Sequence, residues 1–299
     1  MKPPRPQFST LPTERVNPRS AGLDRLGPAG VVARLDAENR RVAAAVSRAS
    51  RQVSAASVLA AKAYAAGGKI IFVGAGTSGR LGVLEAAECP PTFGIEFAKV
   101  QALMAGGKSA VFRSKEGAED DFKMGARETT KLARAGDCVI GIAASGVTPY
   151  VAGALCAAAK RGCSTVLVTC NPKPVNFRPD VLVSLDTGPE ALAGSTRMKA
   201  GSATKMALNS ITTAAMVQCG KVYGNRMVDL KPWSAKLKAR AVGLVSELGG
   251  VTEVRARILL EEASWDAKTA IVMARKKTDA AQAKNLLAEK DGFLRGVIG

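Results

Sequence analysis

The sequence GAGTSG at residues 74–79 follows the apolar run 70–73 and precedes the helix-like segment 80–88. A strand, a glycine-rich turn and a helix in this order are typical of anion-binding loops, because backbone N–H groups at a helix N-terminus attract negative charge. Helix capping by a hydroxyl is the alternative that needs no ligand. The stretch predicts an α/β fold with an anion site at Gly76, Thr77, Ser78 and Gly79.

Apolar runs of strand length recur beyond this turn and alternate with helix-like segments. This alternation predicts parallel strands sandwiched by helices, with the ligand at the carboxyl ends of the strands. The predicted strands are 70–73, 100–104, 138–142, 165–169 and a weaker fifth at 181–185, and the helices between them are 80–88, 119–135 and 149–160.

Helical patterns flank this α/β part on both sides. Residues 1–20 form a Pro-rich arm that leads into amphipathic helices, and 199–219 predicts a long alanine-rich helix. From residue 232 onwards we expect short helices, broken at Gly249-Gly250 and near Ser264. The predicted organisation is an N-terminal arm with helices at 1–54, an α/β domain at 55–222 and a helical region at 223–299.

The composition limits the class of protein. The formal charge of +18 is compatible with nucleic-acid binding, but the basic residues are dispersed, aromatic residues make up only 4%, and no nucleic-acid recognition motif is present. A positive field also attracts a small phosphorylated substrate. No apolar run is long enough to span a membrane, and the N-terminus has no apolar signal segment, so we expect a cytoplasmic protein without membrane contact.

The six cysteines predict free thiols rather than a metal site. They contain no CxxC pair, and the chain has no histidine to complete a zinc-ligand set. The absence of histidine also means that any acid–base chemistry must use other groups, of which carboxylates are the natural choice.

Two loops share one arrangement of hydroxyl groups. GAGTSG has the GxGxxG spacing of dinucleotide sites, but no acidic residue follows the second predicted strand to bind a ribose. The segment 143–149, AASGVTP, again places hydroxyls between a strand and a helix. Two such turns in one sheet predict a phosphosugar held from two sides, with Ser145, Gly146 and Thr148 as the second set of contacts.

Three regions supply candidate acids. Glu85 and Glu88 lie on one helical face, and Pro90-Pro91 is expected to end that helix just after Glu88, which has apolar neighbours. The acidic cluster with Glu116 and Glu119 either acts on substrate or favours a helix N-terminus. The third region either completes a sugar site or is a helix cap with solvated lysines; its candidates are Glu190, Ser195 and Lys199.

Several longer motifs closely resemble those of the N-acetylmuramic acid 6-phosphate etherases, over nearly the whole chain. They are TERVNPRSAGLDRL, GAGTSGRLGVLEAAECPPTFG, KEGAEDD, GIAASGVTPY, CNP, GPEALAGSTRMKAGSATKMALN, GKVYGNRMVDL and DGFLRGVIG. The resemblance implies a sugar isomerase (SIS) domain with a five-stranded parallel sheet, a homodimer, a phosphorylated amino sugar as substrate and no metal or nucleotide cofactor. It also implies cleavage of a lactyl ether, in a step of cell-wall sugar recycling, by the pair Glu88 and Glu119.

Some questions stay open at this level. Val147 stands where that family commonly has a basic residue, which either alters substrate contacts or changes only a surface position. Which glutamate is acid and which is base is undecided. The alternatives to an etherase are a phosphosugar isomerase and a non-catalytic sugar-phosphate sensor. For the sensor class, a DNA-binding regulator would need a helix-turn-helix domain before the first strand, and the Pro-rich stretch there is too short for one.

Overall fold

The five predicted apolar runs form one parallel sheet in the order β2-β1-β3-β4-β5. The neighbours of β1 are β2 on one side and β3 on the other. The strand order therefore reverses between β1 and β3, which makes this the topological switch point of the sheet. Ligands of open α/β sheets bind at such a switch point, outside the carboxyl ends of the strands. The strands are β1 Ile70–Gly74, β2 Val100–Met104, β3 Cys138–Ile142, β4 Ser164–Thr169 and β5 Val181–Ser184.

The structure, a computed structural model, describes residues 11–172 and 177–299, so the start of the Pro-rich arm lies outside the described residues. The helices are α1 Pro28–Arg48, α2 Ser50–Ala65, α3 Gly76–Phe93, α4 Ser109–Phe112, α5 Phe122–Leu132, α6 Pro149–Lys160, α7 Lys199–Gln218, α8 Ala235–Gly249, α9 Glu253–Glu262, α10 Ala267–Lys276, α11 Ala280–Ala288 and α12 Arg295–Ile298.

Both faces of the sheet are covered, as the unbroken apolar runs predict. Ile71 and Val73 pack with residues of α6 in one buried cluster. On the other face a Cβ added to Gly82 of α3 would lie 2.9 Å from the Cβ of Phe72, so glycine allows this helix to approach the strand closely. Alternation of side chains along β1 therefore supplies both halves of the core.

Two compact units make up the described chain. One is Met1–Ala86 with Ala98–Ala214, as far as these residues are described, and the other is Ala87–Phe97 with Ala215–Gly299. The boundaries of these units differ from the domain boundaries expected at 54/55 and 222/223. The expected three-part domain organisation stays a prediction. The N-terminal helices belong to the same unit as the sheet.

The second unit is helical and contains a short hairpin. The predicted breaks are confirmed, because Gly250 ends α8 in the left-handed conformation and Ser264 follows α9 with a φ of 53°. Its core is built from α8 to α10, with Val245, Leu260 and Ile271 fully buried. The hairpin of β6 Val222–Tyr223 and β7 Arg226–Met227 is not predicted by the sequence pattern.

Within the described ranges, none of the helices is long and apolar enough to cross a membrane.

Candidate active site

The glycines of GAGTSG have separate structural roles. Gly76 starts α3 with a φ of 54°, a conformation that favours glycine. A Cβ on Gly79 would lie 2.6 Å from the carbonyl oxygen of Gly74 and would also collide with the sulfur of Met104. Gly74 and Gly79 thus let the helix approach the strand, and Thr77 and Ser78 remain at the helix N-terminus.

A cavity of about 290 Å³ opens at the carboxyl ends of β1 and β3, where the strand order predicts a ligand. Its lining is rich in hydroxyl groups and charges. The hydroxyl-bearing residues are Thr77, Ser78, Ser114, Ser145, Thr148 and Thr196, and the charged residues are Glu14, Arg80, Lys115, Glu116 and Glu119. The structure therefore brings together the two predicted loops and the acidic cluster.

The second loop is held by a network of its own. Gly146 has a φ of 72°, and its N–H donates to the carbonyl of Ala143 at 2.9 Å. The Asn171 amide donates to the carbonyl of Ser145 at 3.0 Å, which leaves the Ser145 and Thr148 side chains on the cavity wall. Like Gly79, Gly146 shapes its loop and does not line the cavity.

Val147 is 1% exposed and is not among the lining residues. Of the two alternatives for Val147, the one that makes it a surface position is therefore wrong. The left-handed turn at Gly146 directs the next side chain into the interior, where an apolar valine is stable and a bare charge is not.

Two cationic side chains of the cavity are held by carbonyl groups. The guanidinium of Arg80 donates to the carbonyls of Val111 at 2.8 Å and Ala110 at 2.9 Å, and the ammonium of Lys115 donates to the carbonyl of Gly106 at 2.9 Å. Because carbonyl groups carry no net charge, both cations keep their attraction for an anion.

Glu119 precedes α5 rather than beginning it, which corrects the predicted helix 119–135. The segment Ala118–Asp120 is a 3₁₀ turn entered through Gly117 with a φ of 78°. Asp121 then caps α5, its carboxylate accepting from the N–H of Met124 at 2.8 Å. One acid of the cluster thus has the expected helix-terminal role, whereas Glu116 and Glu119 line the cavity.

Glu88 lies within α3, since the helix continues to Phe93 through Pro90 and Pro91. The expected stop at the prolines is wrong. Pro90 and Pro91 have no N–H to donate to the carbonyls one turn earlier. The helix is nevertheless bonded beyond them, because the Thr92 hydroxyl donates to the carbonyl of Glu88 at 2.7 Å and the N–H of Gly94 donates to that of Pro90 at 2.9 Å. Glu88 is exposed rather than in an apolar setting, and it is not among the cavity-lining residues.

The third predicted region forms a helix cap, one of its two predicted alternatives, but its lysine is buried rather than solvated. Lys199 is 1% exposed and pairs with Glu38, so it is not a solvated lysine. Glu190, fully buried, accepts from the N–H groups of Lys199 at 3.0 Å and Ala200 at 2.8 Å and caps α7. Burial raises the pKa of Glu190. Ser195 is half-buried, and its neighbour Thr196 is the residue that lines the cavity.

Glu38 is the centre of a buried cluster that sequence reasoning missed. Its carboxylate pairs with Arg19 and Lys199 and accepts from the Asn17 amide at 2.8 Å. The hydrogen bond from Arg19, helped by those from Lys199 and Asn17, outweighs burial and lowers the pKa of Glu38 to about 2. No local pattern marks this glutamate, because its partners are far away in sequence.

Five polar or charged cavity residues were also not predicted: Glu14, Arg80, Ser114, Lys115 and Thr196. Thr196 is adjacent to a predicted residue, and Arg80 directly follows the quoted loop. Glu14 lies in the motif TERVNPRSAGLDRL, where only the resemblance marked the segment. Its arrival at the cavity depends on how the N-terminal arm folds back.

Part of this chain is similar to SIS domains. Residues 52–159 match the family profile of the glucokinase regulatory protein N-terminal SIS domain. A phosphoheptose isomerase structure from Neisseria gonorrhoeae is similar over 63% of this chain and 99% of its own, with 19% identity and a TM-score of 0.47.

Full-length relatives are much more similar. The N-acetylmuramic acid 6-phosphate etherase of Salmonella agona is 46% identical over 97% of this chain and 99% of its own length. That of Cronobacter sakazakii is 45% identical over the same shares. On this similarity, the chain belongs to the N-acetylmuramic acid 6-phosphate etherase family.

Proposed function

We propose that this protein cleaves the lactyl ether of N-acetylmuramate 6-phosphate, giving N-acetylglucosamine 6-phosphate and D-lactate. The observation that carries the proposal is the cavity in which Thr77, Ser78, Ser145 and Thr148 meet the carboxylate of Glu119. Similarity over 97% of the chain, at 45–46% identity, to proteins named as etherases supports the same substrate. The six free cysteines support a cytoplasmic site of action, where thiols stay reduced.

Phosphate binding is assigned to the start of α3 and the loop after β3. Hydroxyls at Thr77 and Ser78, with the N–H groups of the first helical turn, favour an anion there. Arg80 and Lys115 add positive charge to the same cavity. This arrangement fixes one end of the sugar and leaves its carbon chain beside the acidic residues.

The reaction is an elimination followed by hydration, so the enzyme is a carbon–oxygen lyase. Ring opening exposes an aldehyde that acidifies the hydrogen on carbon 2, and Glu119 removes this proton. The electron pair forms a double bond between carbons 2 and 3 while the carbon–oxygen bond to lactate breaks, and Glu88 protonates the departing oxygen. Water then adds at carbon 3 and a proton returns to carbon 2. Each acid–base group typically contributes a rate factor of about a hundred to ten thousand.

We further propose that Glu88 acts on the substrate bound by a second chain. Glu88 follows Gly76 by 12 positions in α3, a rise of about 18 Å. The path from phosphorus to carbon 3 has about five bonds and spans roughly 7 Å, and a glutamate side chain adds about 5 Å. A phosphate at the N-terminus of α3 is therefore too far from Glu88 of the same helix.

An exposed apolar surface supports a homodimer that would supply this glutamate. Leu84 is 39% exposed and lies four positions before Glu88, so the two share a face of α3. Phe112, two residues before the cavity residue Ser114, is 88% exposed, and Met206 of α7 is 42% exposed. Large apolar side chains that are exposed in this way favour contact with another copy of the chain.

The decisive experiment incubates the purified protein with N-acetylmuramate 6-phosphate and measures D-lactate. Release of lactate is expected from the wild type and from Asp120→Asn, an exposed neighbour outside the cavity lining, but not from Glu119→Gln. An aldose–ketose interchange without lactate would instead indicate an isomerase, and binding without turnover would indicate a sensor.

Isotope exchange tests the two roles separately. In deuterated water, Glu88→Gln should still exchange the hydrogen on carbon 2 while releasing little lactate, because the base is intact. Glu119→Gln should do neither. If Glu119→Gln exchanged carbon 2 at the wild-type rate, the assignment of Glu119 as the base would be wrong.

A further inference from the structure

The N-terminal arm places one acidic side chain, Glu14, in the cavity. We propose that Glu14 is a substrate-binding residue that accepts a hydrogen bond from an uncharged donor of the sugar, and that the buried cluster around Glu38 holds it in position. The inference rests on the proposed function, because it assigns a further contact to the same substrate.

The residues around Glu14 are anchored, whereas its side chain is exposed, with one carboxylate oxygen accepting a hydrogen bond of 3.3 Å from the Thr13 hydroxyl. Leu11 is 6% exposed and Thr13 is 1% exposed, but Glu14 is exposed. The N–H of Glu14 donates to the carbonyl of Leu11 at 3.0 Å and closes a 3₁₀ turn. Its carboxylate lies beside Gly194, where an added Cβ would be 3.1 Å from Oε2. The backbone is thus fixed and the carboxylate faces the cavity.

The buried cluster ties this arm to two distant segments. Asn17, 1% exposed, donates to Glu38 of α1 at 2.8 Å and to the carbonyl of Pro189 at 3.2 Å. Glu38 also pairs with Lys199 at the start of α7, three residues after the cavity residue Thr196. Breaking the contacts of Asn17 would release the arm from the segment that faces Glu14.

The chemistry of a carboxylate decides which part of the substrate it recognises. An ionised carboxylate only accepts hydrogen bonds, and it repels the phosphate and the lactyl carboxylate. The remaining polar groups of the sugar that can donate are its hydroxyls and the acetamido N–H. Glu14 therefore distinguishes a sugar phosphate from a bare anion, which Arg80 and Lys115 attract equally well.

The test compares Glu14→Ala and Glu14→Gln with Asp36→Asn, which removes an exposed charge from α1 outside the cavity lining. In Glu14→Ala we expect KM to rise about tenfold to a hundredfold with kcat nearly unchanged, as for loss of one charge-assisted hydrogen bond. Glu14→Gln keeps an acceptor and should lose less. Calorimetry should show weaker binding of N-acetylglucosamine 6-phosphate but not of inorganic phosphate.

The positioning role needs a readout that a loss of stability would not produce. Asn17→Ala should raise KM in the wild-type background and have no further effect on KM in Glu14→Ala. A wild-type KM in Glu14→Ala, or equal weakening of sugar phosphate and inorganic phosphate, would overturn the inference. Failure of the proposed function is distinct, because the wild-type protein itself would then release no lactate.

Discussion

The hydroxyl of Thr212 donates a hydrogen bond of 2.6 Å to the carboxylate of Glu85, and both side chains are buried. This contact joins α7 to α3. It also gives Glu85 a different environment from Glu88, although the sequence places both on one helical face. Glu85 is 7% exposed and bonds to a second helix, whereas Glu88 is exposed.

Thr212→Val is expected to destabilise the protein by about 1–3 kcal/mol, because a buried carboxylate loses a donor. The measurement is the free energy of unfolding in urea. Thr213→Val, at an exposed position of the same helix, is the matched control and should change stability by less than about 0.5 kcal/mol. Equal effects of the two substitutions would show that the contact with Glu85 contributes nothing.

Glu38→Gln is expected to cost about 3–5 kcal/mol near neutral pH, since it leaves the buried ammonium of Lys199 without its partner charge. Asp36→Asn removes the acid of an exposed pair with Arg40 on the same helix and should cost at most about 1 kcal/mol.

The effect of Glu38→Gln should also depend on pH. The pKa of Glu38 is lowered from 4.5 to about 2, so its stabilisation is complete above pH 4.5 and is lost as the pH falls towards 2. The difference in unfolding free energy between wild type and variant should therefore shrink across this window. A difference that stays constant from pH 5 to 2 would contradict the lowered pKa.

Mixing two inactive variants tests whether Glu88 acts across chains. In a symmetric dimer each site would combine Glu119 of one chain with Glu88 of the other, so random heterodimers of Glu88→Gln and Glu119→Gln contain one intact site. After unfolding and refolding an equal mixture, lactate release should recover to about a quarter of the wild-type rate. If both glutamates act within one chain, every site of the heterodimer lacks one glutamate. Activity of the mixture then stays at the level of the two separate variants.

A second control makes that experiment specific. A mixture of Glu88→Gln with the double variant Glu88→Gln/Glu119→Gln contains no intact Glu88. Refolding this mixture should not restore lactate release. Activity in this mixture would show that Glu88 is not required.

Gly79→Ala is expected to destabilise the protein by about 1–3 kcal/mol and to weaken binding of inorganic phosphate, because the methyl group would push α3 away from β1. Unfolding and calorimetry measure the two effects. Gly243→Ala, in α8 with open space around the added carbon, is the control and should be neutral or slightly stabilising. Unchanged phosphate binding in Gly79→Ala would show that the loop does not depend on this close approach.

Local sequence determined the framework of this protein. The strands begin and end within a residue of their predicted bounds, and the loops after β1 and β3 carry the predicted hydroxyls to one cavity. The spacing of apolar residues, the positions of glycines and the residues that start helices are features of a few neighbouring residues. They can therefore be recognised in the sequence before the fold is known. The local pattern marked Glu116 and Glu119 only as members of an acidic cluster, and the family resemblance selected Glu119.

Only the tertiary structure decided which charged residues are buried, paired or turned to the cavity. Lys199 and Glu38 are 161 positions apart, and their pairing converts an expected solvated lysine into a buried one. Glu14 lines the cavity from an arm that the bond between Asn17 and Glu38 ties to α1, and α3 continues through Pro90 and Pro91 to Phe93. Burial and pairing depend on contacts between segments that are distant in sequence, so a local sequence pattern cannot predict them.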